Sequence, residues 1–193
     1  MIKELEQACG SGDTVENFND WAPDFLADYI VNQHHAYAKR VIPQLNAFTE
    51  KVARVHGGRH PETLEIAERW LEMNGDMVRH MQREELLLFP YIKQLISAKE
   101  EGARVECPPF GSIQEFIAEL EDDHDNTGDA LEAIERLSNR YTPPDDACNT
   151  YRALYASLEE FDGKTKEHVH LENNILFPKT IRMENSLPGK VAE

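Results

Sequence analysis

The 193-residue chain is 40% hydrophobic and 29% charged, a balance that supports one folded core and excludes a disordered or fibrous protein. Its formal net charge of −16 repels nucleic acid and anionic membrane from most directions, so neither is expected as a partner and cations are the natural ligands. Cys9, Cys107 and Cys148 fit no disulfide framework or zinc spacing, the N-terminus carries no secretory run, and no apolar stretch is long enough to cross a bilayer; reduced thiols in a cytoplasmic protein are expected.

A polar lead over residues 1–20, containing Cys9-Gly10-Ser11-Gly12-Asp13, precedes four long amphipathic segments bounded by Gly and Pro. The first helix is predicted from Pro23 to Val55, closed by His56-Gly57-Gly58, and the second from Pro61, a good first-turn residue, to Ala98. After the Pro-containing loop from Gly102 to Gly111, the third is predicted over Ser112 to Ser138. The fourth follows Pro143-Pro144 and reaches Thr180, leaving a loose tail over residues 183–193. Apolar residues step by three and four along each: Ile66, Trp70, Met73, Met77, Leu87 and Tyr91; Ile113, Ile117, Leu120, Leu131 and Ile134; Tyr151, Leu154, Leu158, Phe161 and Ile175. No comparable alternating pattern marks a strand. Residues 21–182 therefore read as an all-α, antiparallel up-down four-helix bundle.

Polar residues interrupt these stripes. His80 and Glu84 continue the second helix's series, His124 the third's, and His168 and Glu172 the fourth's. Burying a neutral polar group without a partner costs roughly 2–7 kcal/mol, and a carboxylate more, so these side chains require strong partners, which metal coordination supplies. The chain also repeats itself: His80-Met-Gln-Arg-Glu84-Glu-Leu-Leu-Leu-Phe-Pro90 matches His168-Val-His-Leu-Glu172-Asn-Asn-Ile-Leu-Phe-Pro178. His35 precedes His80 by 45 residues and His124 precedes His168 by 44, so two similar helical hairpins, each with a pair of residues i, i+4 on one face, imply a pseudo-twofold site. His35 and His80 are equidistant from the Gly57-Gly58 turn and are predicted at one level, whereas the second hairpin needs extra loop residues near Tyr141. In the first helix the periodicity alone leaves two candidates open: His34 falls in with Leu26, Ile30, Tyr37 and Val41, and His35 with Val31, Ala38 and Ile42.

Imidazole and carboxylate donors without thiolate suit Fe, Mn or Zn. Two histidines per metal with both glutamates bridging give each ion four protein ligands, an oxo or hydroxo bridge makes five, and an octahedral ion keeps one position for O2, NO or water. A single H-x-x-x-E is an ordinary exposed helix pair; two copies with matched upstream histidines are not. Asp76, four before His80, and Asp123, beside His124, are candidate acceptors behind the ligands, although a solvated acidic face explains them equally. His170, Glu85, His56 and His60 are expected at exposed or turn positions, and both Leu-Phe-Pro triplets in core packing and helix bending.

At these residues the sequence resembles the hemerythrin-like di-iron proteins, and most closely the iron–sulfur cluster repair family, also called repair of iron centres. The matching stretches are Tyr29 through His35, Arg54-Val-His-Gly-Gly-Arg-His-Pro61-Glu62, His80 through Pro90, Glu121-Asp-Asp-His124-Asp and His168 through Pro178. The resemblance implies iron-ligand roles for His35, His80, Glu84, His124, His168 and Glu172, thereby favouring His35 over His34. It further implies a pair of iron ions, NO or O2 as small ligands, iron–sulfur proteins as partners, and protection or repair of clusters damaged by nitric oxide or oxidants. Reversible O2 or NO binding, as in hemerythrins proper, is the alternative. Family members commonly begin with a small domain bearing adjacent cysteines; only the stretch around Cys9 resembles the region just after it, so that module is expected to be absent or truncated.

Overall fold

The computed structural model describes residues 17–187, so expectations about Cys9 and the end of the tail lie outside the described residues. Four rods form an antiparallel bundle. Helix α1 (residues 23–56) consists of Pro23–Ile30, a π-helical turn Val31–His35, and Ala36–His56. Helix α2 (62–101) joins Glu62–Arg83, a π turn Glu84–Leu88, and Phe89–Glu101. Helix α3 is Ile113–Leu137, and α4 (149–186) joins Asn149–Leu171, a π turn Glu172–Leu176, and Phe177–Ser186. Among the described residues there is no β-strand, and no helix is long and apolar enough to cross a membrane. The last helix runs past Arg182 to Ser186 because Met183 and Glu184 are buried and Glu184 accepts a 2.6 Å hydrogen bond from the Tyr91 hydroxyl.

Local sequence sets the ends. Pro23 stands in the first turn of α1, and Ser112 caps α3 by accepting the Glu115 N–H. Gly102 ends α2 in the left-handed conformation that only glycine adopts without cost. At the α1–α2 turn a Cβ on Gly57 would stand 2.5 Å from the Ala53 carbonyl oxygen, so close approach, not dihedral freedom, requires glycine there. The α3–α4 connection absorbs the unequal spacing of the second hairpin through Asn139, Arg140 and Tyr141, all left-handed at φ 52°, 55° and 54°. The Ser138 hydroxyl accepts the Tyr141 N–H at 3.0 Å and holds this strained turn. At the same end, His60 and Arg59 bind Asp146, and His56 Nε2 lies 3.3 Å from Cys148 Sγ, so these histidines are turn residues as expected.

Two of the three π turns precede proline. Pro90 and Pro178 lack an N–H and would press their rings against the carbonyls of Leu86 and Asn174 in a regular helix; a widened turn at Glu84–Leu88 and Glu172–Leu176 relieves both conflicts. The apolar core is consequently in two parts. One packs Leu26, Ile30, Leu88, Ile92, Leu120 and Phe177; the other packs Leu45, Ile66, Trp70, Tyr151, Leu158 and Phe161. Between them lies a layer of histidines and glutamates.

Candidate metal centre

All six residues singled out from the stripes meet in that layer. His35, Glu84 and Glu172 are completely buried, and His80, His124 and His168 are nearly so. They form two groups of four, His35, His168, Glu84 and Glu172, and His80, His124, Glu84 and Glu172, in each of which one donor atom per residue lies within 4.8 Å of every other. Both glutamates belong to both groups. Glu172 shows why: Oε1 lies 2.8 Å from His168 Nε2 and Oε2 lies 3.1 Å from His124 Nε2. Glu84 Oε2 lies 3.3 Å from His35 Nε2 and 3.4 Å from His80 Nε2, which puts His35 and His80 at one level.

The grouping crosses the hairpins. His35 of the first hairpin sits against His168 of the second, Nε2 to Nε2 at 3.3 Å, and His80 against His124 at 3.0 Å. The pseudo-twofold axis therefore exchanges the two groups rather than relating two self-contained hairpin sites.

Outer partners fix the rings. His35 Nδ1 donates to Glu85 Oε1 at 2.7 Å, His80 Nδ1 to Asp123 Oδ2 at 3.3 Å, and His124 Nδ1 to Asn173 Oδ1 at 2.8 Å. With the Nδ1 proton committed outward, the Nε2 atoms of His80 and His124 face one another at 3.0 Å, so that in the neutral rings their lone pairs converge. Glu84 Oε1 and Oε2 and Glu172 Oε2 are buried with no hydrogen-bond donor in line. Converging lone pairs and unsatisfied buried carboxylate oxygens repel one another, and a cation among them turns the repulsion into ligation. The donor set fits a pair of divalent or trivalent ions with N/O preference.

A protein-family model, the Hemerythrin HHE cation binding domain, matches residues 26–180. The chain belongs to the hemerythrin HHE family. A hemerythrin-type domain binds a di-iron centre, and the buried imidazole and carboxylate groups here are able to hold one. Similar proteins include one from Musicola paradisiaca, 37% identical over 166 residues, which covers 86% of this chain and 67% of the relative. One from Yersinia pseudotuberculosis (strain PB1/+) is 36% identical over 82% of this chain and 66% of its own length, and one from Dickeya chrysanthemi is 34% identical over 86% and 70%. Each is named iron-sulfur cluster repair protein YtfE. The match thus spans about two thirds of the length of these relatives.

Within this hemerythrin-type layer, the sequence reading of the surroundings needs correction. Glu85, expected to be exposed, clamps His35 while also taking Lys39 Nζ at 2.7 Å. Its counterpart in the repeat is Asn173, which holds His124. The π turns make this possible: with the helix widened, the successive residues Glu84 and Glu85 both face His35, and Glu172 and Asn173 both face His124. Asp123 does stand behind His80, steadied by Arg83 at 3.2 Å, whereas Asp76 is an exposed ion-pair partner of Arg79 on the helix surface. Phe89 stacks on His35 and Phe177 on His124, so the Leu-Phe-Pro triplets wall the layer. His34 occupies the pseudo-twofold counterpart of Asp123. It is buried, its ring stacks on His168 with centroids 5.4 Å apart, and its Nδ1 has no hydrogen-bond partner.

The electrostatics follow. Burial, aided by the facing His168, pushes His34 down to about 4 and keeps it neutral. Burial opposes charge on His124, but the Glu172 carboxylate outweighs it and raises the imidazole to about 8; Glu84 raises His35 in the same way. Glu84 is raised by burial and then by the charge of Glu172, while Glu172, despite burial, is held well below the usual carboxylate range by His168 and His124. In the metal-free chain, stability from groups raised on folding is complete below their ordinary values and disappears as pH rises through the raised ones. His124 alone contributes about 2 kcal/mol on this basis. The metal-free protein should therefore melt at lower temperature at pH 8.5 than at pH 6.5. The iron-loaded protein, whose ligands have already released their protons, should show the opposite trend or none; scanning calorimetry at the two pH values checks both.

Proposed function

We propose that this protein is a non-haem di-iron protein that protects or repairs iron–sulfur clusters damaged by nitric oxide or oxidants, acting in the cytoplasm by binding iron and donating it. His35 and His168 would hold one ion and His80 and His124 the other, with Glu84 and Glu172 in reach of both. The observation that carries the reading is that both four-residue groups share the same two buried glutamates, which suits a coupled pair of ions better than two separate sites. The name shared by the relatives supports cluster repair as the use.

When bound, a di-iron centre supplies redox chemistry and exchangeable positions for NO or O2. The protein's own part is to hold His35, His80 and His124 in one tautomer through Glu85, Asp123 and Asn173, and to exclude water with Phe89, Phe177, Leu88 and Leu176. The test is restoration of a hydratase whose [4Fe–4S] cluster has been damaged with nitric oxide. Iron-loaded protein should restore activity beyond that given by the same amount of ferrous salt, and the His80→Ala protein should not. Equal recovery with ferrous salt alone, or a stable and reversible oxygenated spectrum in place of repair, overturns the proposal.

A further inference from the structure

Of the adjacent pairs in the bundle, α3 and α4 approach one another least. The space between them is a cleft of about 280 Å³ that reaches inward to His124. Three features mark it. First, Gly128, four residues from His124 on the same face of α3, stands in the middle of a 25-residue helix, where glycine costs stability. Gly128 is exposed and no neighbouring heavy atom outside its own helix backbone lies within 4 Å of where its Cβ would be, so no close packing explains it, and it leaves the mouth of the cleft open to solvent.

Second, Asp162 lines the cleft as a buried carboxylate, its side chain 7% exposed. Oδ2 receives the Lys166 ammonium at 2.7 Å, whereas Oδ1 is buried and has no hydrogen-bond partner. The Tyr141 phenol faces this carboxylate without completing a hydrogen bond of good geometry, and burial together with the charge and acceptor of Asp162 pushes Tyr141 above the ordinary phenol range. A half-paired buried carboxylate is a place for a cation. Third, Asp162 and Thr165 are buried on the stripe of α4 that continues through Val169 to Glu172. Two buried polar side chains therefore lead along the core face of α4 toward Val169 and, one turn further, Glu172 of the metal centre.

We infer that the α3–α4 cleft is the passage by which ferrous ions enter and leave the centre, with the Asp162 carboxylate as the intermediate cation site. This rests on the di-iron reading above and adds the route. Lys166, an exposed residue apart from its contact with Asp162, swings into solvent as an ion passes and is the positive group that retards it.

The experiment follows anaerobic loading of the metal-free full chain with ferrous iron, and its removal by a ferrous chelator, in stopped flow. Gly128→Leu fills the cleft and should slow both rates by about tenfold or more, corresponding to about 1.4 kcal/mol of added barrier, while the final iron content and spectrum match wild type. Asp162→Asn should slow loading and Lys166→Gln should speed it. Gly163→Leu, the same change at a helical glycine outside the cleft, should load normally. Wild-type rates in both Gly128→Leu and Asp162→Asn overturn the passage while leaving the centre intact, as does equal slowing in Gly163→Leu. A wild-type chain that takes up no iron overturns the metal reading itself, and the passage with it.

Discussion

Glu172→Ala and Glu84→Ala should each abolish binding of both ions, so that iron per chain after anaerobic reconstitution is expected to fall from two to near none. Each glutamate belongs to both donor groups, so on the proposed assignment its loss would take a donor from each ion at once. The effect should exceed the roughly 10- to 100-fold loss of affinity typical when only an outer partner of a ligand is removed. Asp123→Asn and Glu85→Gln provide that comparison, because their carboxylates touch His80 and His35 from behind. Asp76→Asn should change nothing, since Asp76 pairs only with Arg79 on the exposed face. Metal analysis with the visible spectrum reads all five variants. Retention of one full equivalent of iron in Glu172→Ala would show that the glutamates serve separate ions.

The same variants separate metal affinity from folding. The polar layer divides the core, and the apolar clusters on either side pack without it. Glu84→Ala deletes a buried carboxylate neither of whose oxygens has a donor in line, so that metal-free variant is not expected to be less stable than the metal-free parent. Glu172→Ala, by contrast, also removes the 2.8 Å contact of Oε1 with His168 and the support given to His124 and should lose stability. Iron then acts as a ligand of the folded state, and in Glu84→Ala its stabilisation is lost by mass action alone.

The helices were legible because each apolar stripe is long and its ends carry Gly, Pro or Ser. The six polar interruptions were legible because a buried His or Glu in such a stripe needs a partner, and because the stretch from His80 to Pro90 is repeated from His168 to Pro178. What could not be read were features set by helix phase. A regular 3.6-residue period places Glu85 to one side of Glu84 and therefore in solvent; the π turn Glu84–Leu88 turns both toward His35. Pro90 and Pro178 were the available signal, since a proline inside a helix removes an N–H and crowds the carbonyl one turn back, although Pro43 does so without a π turn. The burial of His34 was hidden for the same reason: with the π turn Val31–His35, successive histidines both point inward, so the choice between the two stripes of α1 was not exclusive.

The pairing of residues across hairpins leads to the other large effect. Repeat logic alone places His35 with His80 and His124 with His168, as if each hairpin made its own half-site. The distances pair His35 with His168 and His80 with His124. A double variant within one group, His35→Ala with His168→Ala, should therefore lose one ion and keep the other, with little more loss than either single change. A double variant within one hairpin, His35→Ala with His80→Ala, strikes both groups and should lose both ions. Coupled residues of one ion are non-additive, whereas residues of different ions add. Iron per chain of about one in the first variant and near zero in the second is the expected pattern. The reverse pattern would mean that each hairpin folds around its own ion, and that Glu84 and Glu172 are not shared.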